Sequence, residues 1–261
     1  MVDIKGFKEW LEKQELAELS RRAYLNAVRS FMLHGFEEWT VQNGMRYRQM
    51  LVDEDMKPAS INLMVSGLNR YAKWEGKETI KRVKVNEEPF AVDGMEVEDF
   101  HRLIDRLLEK GKYNWYIAVK LLAGTGTRIG EAVQITYGDF RRGHCSVLGK
   151  GGKRRTVYFS HALRETLFPY AKDKADSEPM IPYSKGYVRN ALLRIKSRYG
   201  FTCHVNPHEY RNLFARQMFG QTNDIALLKG LLGHENVKTT SRYIKKTSNE
   251  ALRLYGRVQN W

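Results

Sequence analysis

Five side chains suited to handling a phosphate recur in a fixed order through the second half of this 261-residue chain, and its fold must bring them together. Arg128 stands in Thr125-Gly-Thr-Arg-Ile-Gly-Glu131. His208 and Arg211 stand in His208-Glu-Tyr-Arg211, His234 in Leu231-Leu-Gly-His234, and Tyr243 closes Thr239-Thr-Ser-Arg-Tyr243. A guanidinium is a planar fork that matches non-bridging phosphate oxygens and stays charged at any working pH. Imidazoles move protons near pH 7, and a phenol can act as a nucleophile that forms a covalent intermediate. Two arginines, two histidines and one tyrosine are a set able to open a phosphodiester without a metal.

The charge points the same way. The chain carries a formal +14 at a pI near 9.7, an excess that asks for a polyanion, nucleic acid first. A merely soluble basic protein is the plainer reading of charge taken alone. Residues 1–86 hold 15 basic and 12 acidic side chains, so +11 of the +14 lies beyond them, in the half that holds the five residues. Cys145 and Cys203 form no C-x-x-C pair, so a structural zinc site is not expected, and two free thiols fit a reducing cytoplasm. No run of about 18 apolar residues and no signal-peptide pattern is present, so a cytoplasmic protein with no membrane partner is expected.

The 42% apolar content supports a sizeable core in one large or two modest domains. Helical periodicity predicts four helices in residues 1–84: around Phe7, Trp10 and Leu11; after Ser20; from about Val41 to Leu51; and after Ser60, read as an N-cap. Lys81 to Phe90 reads as an extended linker, charged and lacking a helical period. The boundary falls near residue 86, dividing a helical bundle (1–86, linker to about 90) from a second domain (87–261). In the latter, helices are expected over Val97–Lys110, Trp115–Gly124 and Glu131–Tyr137. Strands at Cys145–Leu148 and Thr156–Phe159 flank the basic, glycine-rich turn Gly149–Arg155. The fold class is mainly α with a small β-hairpin, an α+β second domain.

Order and spacing of these blocks resemble the tyrosine recombinase (phage integrase) family over roughly residues 90–250. The stretch from Leu231 to Tyr243 is similar to that family's final motif almost residue for residue. For the bundle the likeness is one of pattern only, to the core-binding domain that closes a clamp around DNA. The resemblance implies a site-specific recombinase that cuts and rejoins DNA strands through a 3′-phosphotyrosine. It implies neither metal nor cofactor, and a mobile element or phage as setting. Its partners would be double-stranded DNA at core sites and a homotetramer spanning two of them, monomeric when free. No separate arm-site-binding domain is expected. A type IB topoisomerase-like enzyme shares the chemistry, and a catalytically silent DNA-binding accessory factor shares the charge.

Within that resemblance Arg128 and Arg211 are the phosphate clamps and Tyr243 the nucleophile. Arg128 read alone is a helix-surface arginine, and Tyr255 is a distant rival to Tyr243. His208, one turn from Arg211 on the same face, is the candidate to take or return the tyrosine proton; a histidine read alone would be a satisfied core residue. The family uses the position of His234 as a hydrogen-bond donor to phosphate, and that residue can also cap a helix dipole. Glu131 can reach back one turn to hold Arg128, or sit solvated on a helix face. In the basic turn the family places a lysine that protonates the departing 5′-oxygen. Lys150 fits best and Lys153 is its rival, while Arg154 and Arg155 fall to backbone phosphates. On the bundle, phosphate contacts are expected from Arg21, Arg22, Arg46, Arg48, Arg70, Lys73, Lys81, Arg82 and Lys84, although a solvated helix face explains many of them equally well. Where the family often has Leu and a second His around its arginine, this chain has Tyr210 and Asn212, which removes one possible supporting hydrogen bond. The segment Thr247–Trp261 reads as a short amphipathic helix, which in the family packs on a neighbouring subunit and here can also fold back on its own domain.

Overall fold

The computed structural model describes residues 1–84, 94–149 and 152–233. The chain divides into two compact units, Met1–Glu87 and Glu88–Trp261.

Four helices make the first unit: α1 (Ile4–Glu12), α2 (Glu18–Leu33), α3 (Val41–Asp53) and α4 (Pro58–Trp74). Asp3 caps α1 by accepting the Gly6 amide, and Thr40 caps α3 by accepting that of Asn43. Two starts differ from the sequence reading. α2 begins before Ser20 and α4 before Ser60, where Pro58 takes the first helical position. There its fixed φ and missing N–H carry no penalty. Phe7 packs edge-on against Tyr71 at 5.2 Å, and Phe31 stacks on Phe36 at 4.8 Å. α2 crosses α4 so closely that a Cβ on Gly67 would lie 2.5 Å from that of Ala27, so only glycine fits.

The described part of the segment after α4, residues 77–84, has no regular secondary structure and is fastened down. Asn69 donates to and accepts from the backbone of Ile80, each at 2.9 Å. Asn62 does the same at Val83, at 3.0 and 2.9 Å. Two side-chain amides therefore hold residues 80–83 along α4.

The second unit is built around α6 (Tyr113–Thr125), whose residues Tyr116 to Leu122 are buried except Lys120. A helix apolar on nearly every side needs neighbours all round. It finds them in α5 (Val97–Glu109), α9 (His161–Ala171) and α11 (Pro207–Thr222). The helix expected over Glu131–Tyr137 is instead two short ones, α7 (Ile129–Ala132) and α8 (Tyr137–Arg142). Thr136 starts the second by exchanging caps with Asp139: its hydroxyl accepts the Asp139 amide and its amide donates to that carboxylate. Strands β1 (His144–Leu148) and β2 (Arg154–Tyr158) pair antiparallel, Cys145 opposite Val157 and Val147 opposite Arg155. α10 (Lys185–Tyr199) and α12 (Ile225–Leu232) complete the set. Among the described residues no helix is long and apolar enough to cross a membrane.

Candidate active site

Glu131 lies at the centre of an arginine cluster. Its side chain is only 2% exposed. One carboxylate oxygen accepts the Arg155 guanidinium at 2.7 Å and the Arg128 backbone amide at 2.9 Å. The other accepts the Arg128 guanidinium at 3.0 Å. Arg211 approaches within 4.0 Å. Burial alone would raise the pKa of this carboxyl. The hydrogen bonds from Arg155 and from the Arg128 amide, with the Arg155 charge and the Arg128 guanidinium behind them, outweigh it and hold the pKa below the usual carboxylate range. Glu131 is thus an ionised, buried anchor and not a solvated helix residue.

Arg211, only 1% exposed, is aimed by backbone. It donates to the carbonyl of Gly126 and to that of Leu232, each at 2.6 Å. These are the C-terminal ends of α6 and α12, where carbonyls lack helical partners and a cation is favoured. Gly126 is left-handed, with φ +59, and a Cβ there would sit 2.5 Å from the Phe214 ring, so the turn that presents its carbonyl requires glycine.

His208 is the second residue of α11, after Asn206 as cap and Pro207. His208 is exposed, yet its surroundings lower its pKa. Partial desolvation by the neighbouring protein is the main cause, opposed by Glu209 and reinforced by the positive fields of Arg211 and Arg128. The structure therefore brings Arg128, Arg211, His208 and Glu131 into one neighbourhood, three guanidiniums including Arg155 against one carboxylate. Such a site favours an anion and, in a transition state, growing negative charge on phosphate oxygens.

The sequence reading gave Arg155 to a DNA backbone phosphate; the structure places it within the Glu131 cluster. Its side chain is 11% exposed and turned inward, donating to Glu131 and, at 2.5 Å, to the Leu231 carbonyl. Strand alternation carries the signal: Arg155 is two residues from buried Val157 and shares its face. Lys153 and Arg154 are exposed. Gln134, absent from the sequence reading, fixes the end of β1: its amide bonds both the N–H and the C=O of Leu148 at 3.0 Å. Tyr210 is fully buried and edge-on to Phe100, a core residue. Asn212 donates to Glu209 at 2.9 Å.

Lys150, His234, Tyr243 and the tail Thr247–Trp261, including Tyr255, lie outside the described residues. On the first unit Arg22, Arg46, Lys73, Lys81, Arg82 and Lys84 are exposed. Arg48 instead donates to the Lys81 carbonyl at 2.7 Å, and Arg70 lies 5.0 Å over the Trp10 ring. Arg21 reaches the Glu12 carbonyl at 3.5 Å.

Comparison with known proteins bears on this geometry. The sequence profile of the phage integrase family matches residues 93–250. The tyrosine recombinase XerA of Pyrococcus furiosus is 28% identical over 258 residues, spanning 94% of this chain and 90% of its own. Among solved structures, a lambda integrase dimer bound to a COC′ core site superposes with a TM-score of 0.75 at 20% identity, over 95% of both chains. A lambda integrase tetramer bound to a Holliday junction gives 0.75 at 19% identity, over 92% of this chain and 75% of that one. At such identity the likeness is one of fold.

Proposed function

The chain belongs to the phage integrase family, and from that premise we propose that it is a tyrosine site-specific recombinase. It cleaves and rejoins DNA through a covalent bond from Tyr243 to a 3′-phosphate. The observation that carries this reading is the buried network of Arg128, Arg155 and Arg211 around Glu131, with His208 beside it. Cations held by carboxylate and carbonyls before DNA arrives need no reorganisation as charge develops on the phosphate.

The Tyr243 oxygen attacks phosphorus, and the bond from phosphorus to the 5′-oxygen breaks. His208, whose pKa its surroundings lower, takes the phenol proton. Lys150 gives a proton to the departing oxygen, and His234 donates a hydrogen bond to the phosphate beside the two arginines. In the reverse sense a 5′-hydroxyl from the exchanged strand attacks the phosphotyrosine and releases Tyr243. The bond energy stays in the protein–DNA link throughout, so no nucleotide is consumed.

The unit Met1–Glu87 is proposed as a core-site DNA-binding domain, with exposed Arg22, Arg46, Lys73, Arg82 and Lys84 toward phosphates. The unit Glu88–Trp261 is proposed as the catalytic domain. A homotetramer on two sites, joined through the segment Thr247–Trp261, and a cytoplasmic setting for a mobile element or phage complete the reading. The lambda integrase tetramer supports that assembly.

The test is Tyr243→Phe on DNA recovered with the wild-type protein. The variant should bind normally and form no covalent adduct. An adduct that persists and is removed only by protease would refute the assignment.

A further inference from the structure

The hairpin that leads to Lys150 has an outer edge, and one side chain occupies it beside the arginine cluster. The Gly149 amide donates to the Lys153 carbonyl at 2.7 Å, so residues 149 and 153 form a hydrogen-bonded pair. Antiparallel pairs alternate, so 147 and 155 form the next one. Leu148 lies between them, opposite Arg154 in a pair that exchanges no hydrogen bonds. Its own N–H and C=O therefore point away from β2. Such groups on an edge strand await another strand or water.

Gln134 supplies what a third strand would. Its side-chain oxygen accepts the Leu148 N–H and its side-chain nitrogen donates to the Leu148 C=O, each at 3.0 Å. The same nitrogen donates to the Gly130 carbonyl of α7 at 2.6 Å. The Gln134 backbone is tied down as well, its amide donating to the Glu131 carbonyl at 3.1 Å. A primary amide carries donor and acceptor side by side, so it can grip both groups of one residue at once. The turn that follows α7 therefore holds the end of β1.

This grip lies where the hairpin meets the cluster. A Cβ on Gly149 would sit 3.2 Å from the Lys153 carbonyl oxygen and 3.3 Å from a Glu131 carboxylate oxygen. Glu131 thus holds Arg128 and Arg155 and also borders the residue that precedes Lys150. Consecutive Cα atoms are about 3.8 Å apart, so a displacement of Leu148 is passed to Lys150 within two residues. A reacting group misplaced by about 1 Å can cost about 100-fold in rate.

We propose that Gln134 is a positioning residue for the proton donor of the hairpin turn: it pins the end of β1 to α7, so that the donor is delivered at a fixed place relative to Arg128 and Glu131. The inference rests on the reading of Lys150 as that donor. Gln134 is exposed, so the full-length Gln134→Ala chain should fold. Single-turnover cleavage is measured on DNA recovered with the wild-type protein, once as the ordinary phosphodiester and once with a bridging 5′-sulfur. Proton transfer by a positioned group contributes about 10²- to 10⁴-fold, so Gln134→Ala should lose about 10- to 100-fold on the ordinary bond and stay within about threefold of wild type on the sulfur bond. Hydrogen exchange gives a readout independent of cleavage. The Leu148 amide should exchange faster in Gln134→Ala, while the Val147 and Arg155 amides, which pair within the hairpin, keep their protection. Equal losses on the two substrates overturn the proposal, since a defect in the arginine cluster or the fold would strike both. An unchanged rate on the ordinary bond, or unchanged exchange at Leu148, also overturns it. If Gln134→Ala recovers on sulfur and Lys150→Ala does not, the assignment of Lys150 fails and the positioning role stands.

Discussion

Glu131→Gln is the sharpest perturbation of the arginine network. The side chain is 2% exposed and takes three hydrogen bonds. Glutamine keeps its shape and one acceptor. If that oxygen serves Arg155 and the Arg128 amide, its NH₂ meets the Arg128 guanidinium donor to donor, and the arginine cluster loses the Glu131 charge. Removing one partner of a buried ion pair costs about 3–5 kcal/mol. Arg128 is 35% exposed and Gln retains an acceptor, so the lower end, about 3 kcal/mol, applies. For a unit of this size 1 kcal/mol moves Tm by about 2–4 °C, which gives a fall of about 6–12 °C in the transition of the second unit. The pH dependence gives a second check. The Glu131 pKa is lowered in the folded chain, so its stabilisation is fully present above the unfolded carboxyl pKa of about 4.3 and is lost as pH falls through the lower folded value. Calorimetry of the full chain should therefore show a wild-type advantage that is constant near neutrality and shrinks below about pH 4. A change in Tm within 1 °C at pH 7, or an advantage that persists undiminished into acid, would refute the anchoring role.

Gly233→Ala places a Cβ 2.4 Å from the Arg155 side chain at a φ of +64. A loss of at least about 1–2 kcal/mol and slower cleavage are expected in denaturant and single-turnover assays. Because the His208 pKa is lowered, cleavage should hold its plateau to below pH 6.5 before falling on the acid side, and His208→Gln should abolish that acid limb in a pH–rate profile. Lys150→Ala should cleave poorly on a normal phosphodiester and recover on a substrate with a bridging 5′-sulfur, whose thiolate leaves without a proton. Selective recovery in Lys153→Ala instead would move the role there.

Local spacing made part of this site legible. Arg128 and Glu131, and likewise His208 and Arg211, are three apart, and helical geometry alone puts such pairs on one face. Pro207 at the start of α11 and Gly233 after α12 are residue types that bound helices. What escaped depends on distant partners. An inward arginine on a hairpin makes no sense until Glu131 is known to await it, so Arg155 read as a surface cation despite sharing a face with Val157. The carbonyls of Gly126 and Leu232 carry no side-chain identity, so nothing in the letters shows that they aim Arg211. The starts of α2 and α4 were misplaced because serine's capping preference is weak against a proline in the first turn or an extended residue before it.

The network binds fold and chemistry to the same atoms. Arg211 joins the ends of α6 and α12, 85 and 21 residues away in sequence, while Arg155 joins β2 to α7 and again to the end of α12. Each of these two guanidiniums is therefore also a strut between elements distant in sequence. A guanidinium can do both because it has five donors in a fixed fork, so two carbonyls occupy part of it and leave the plane oriented. An ammonium has no such fork, which is why a lysine at either position would keep the charge and lose the aim. The end of α12 receives both struts, at Leu231 and Leu232, immediately before the left-handed Gly233. Order at that helix end is thus set by two side chains that also contribute to the charge of the site, so loss of either would disturb the end of α12 as well as the Glu131 cluster.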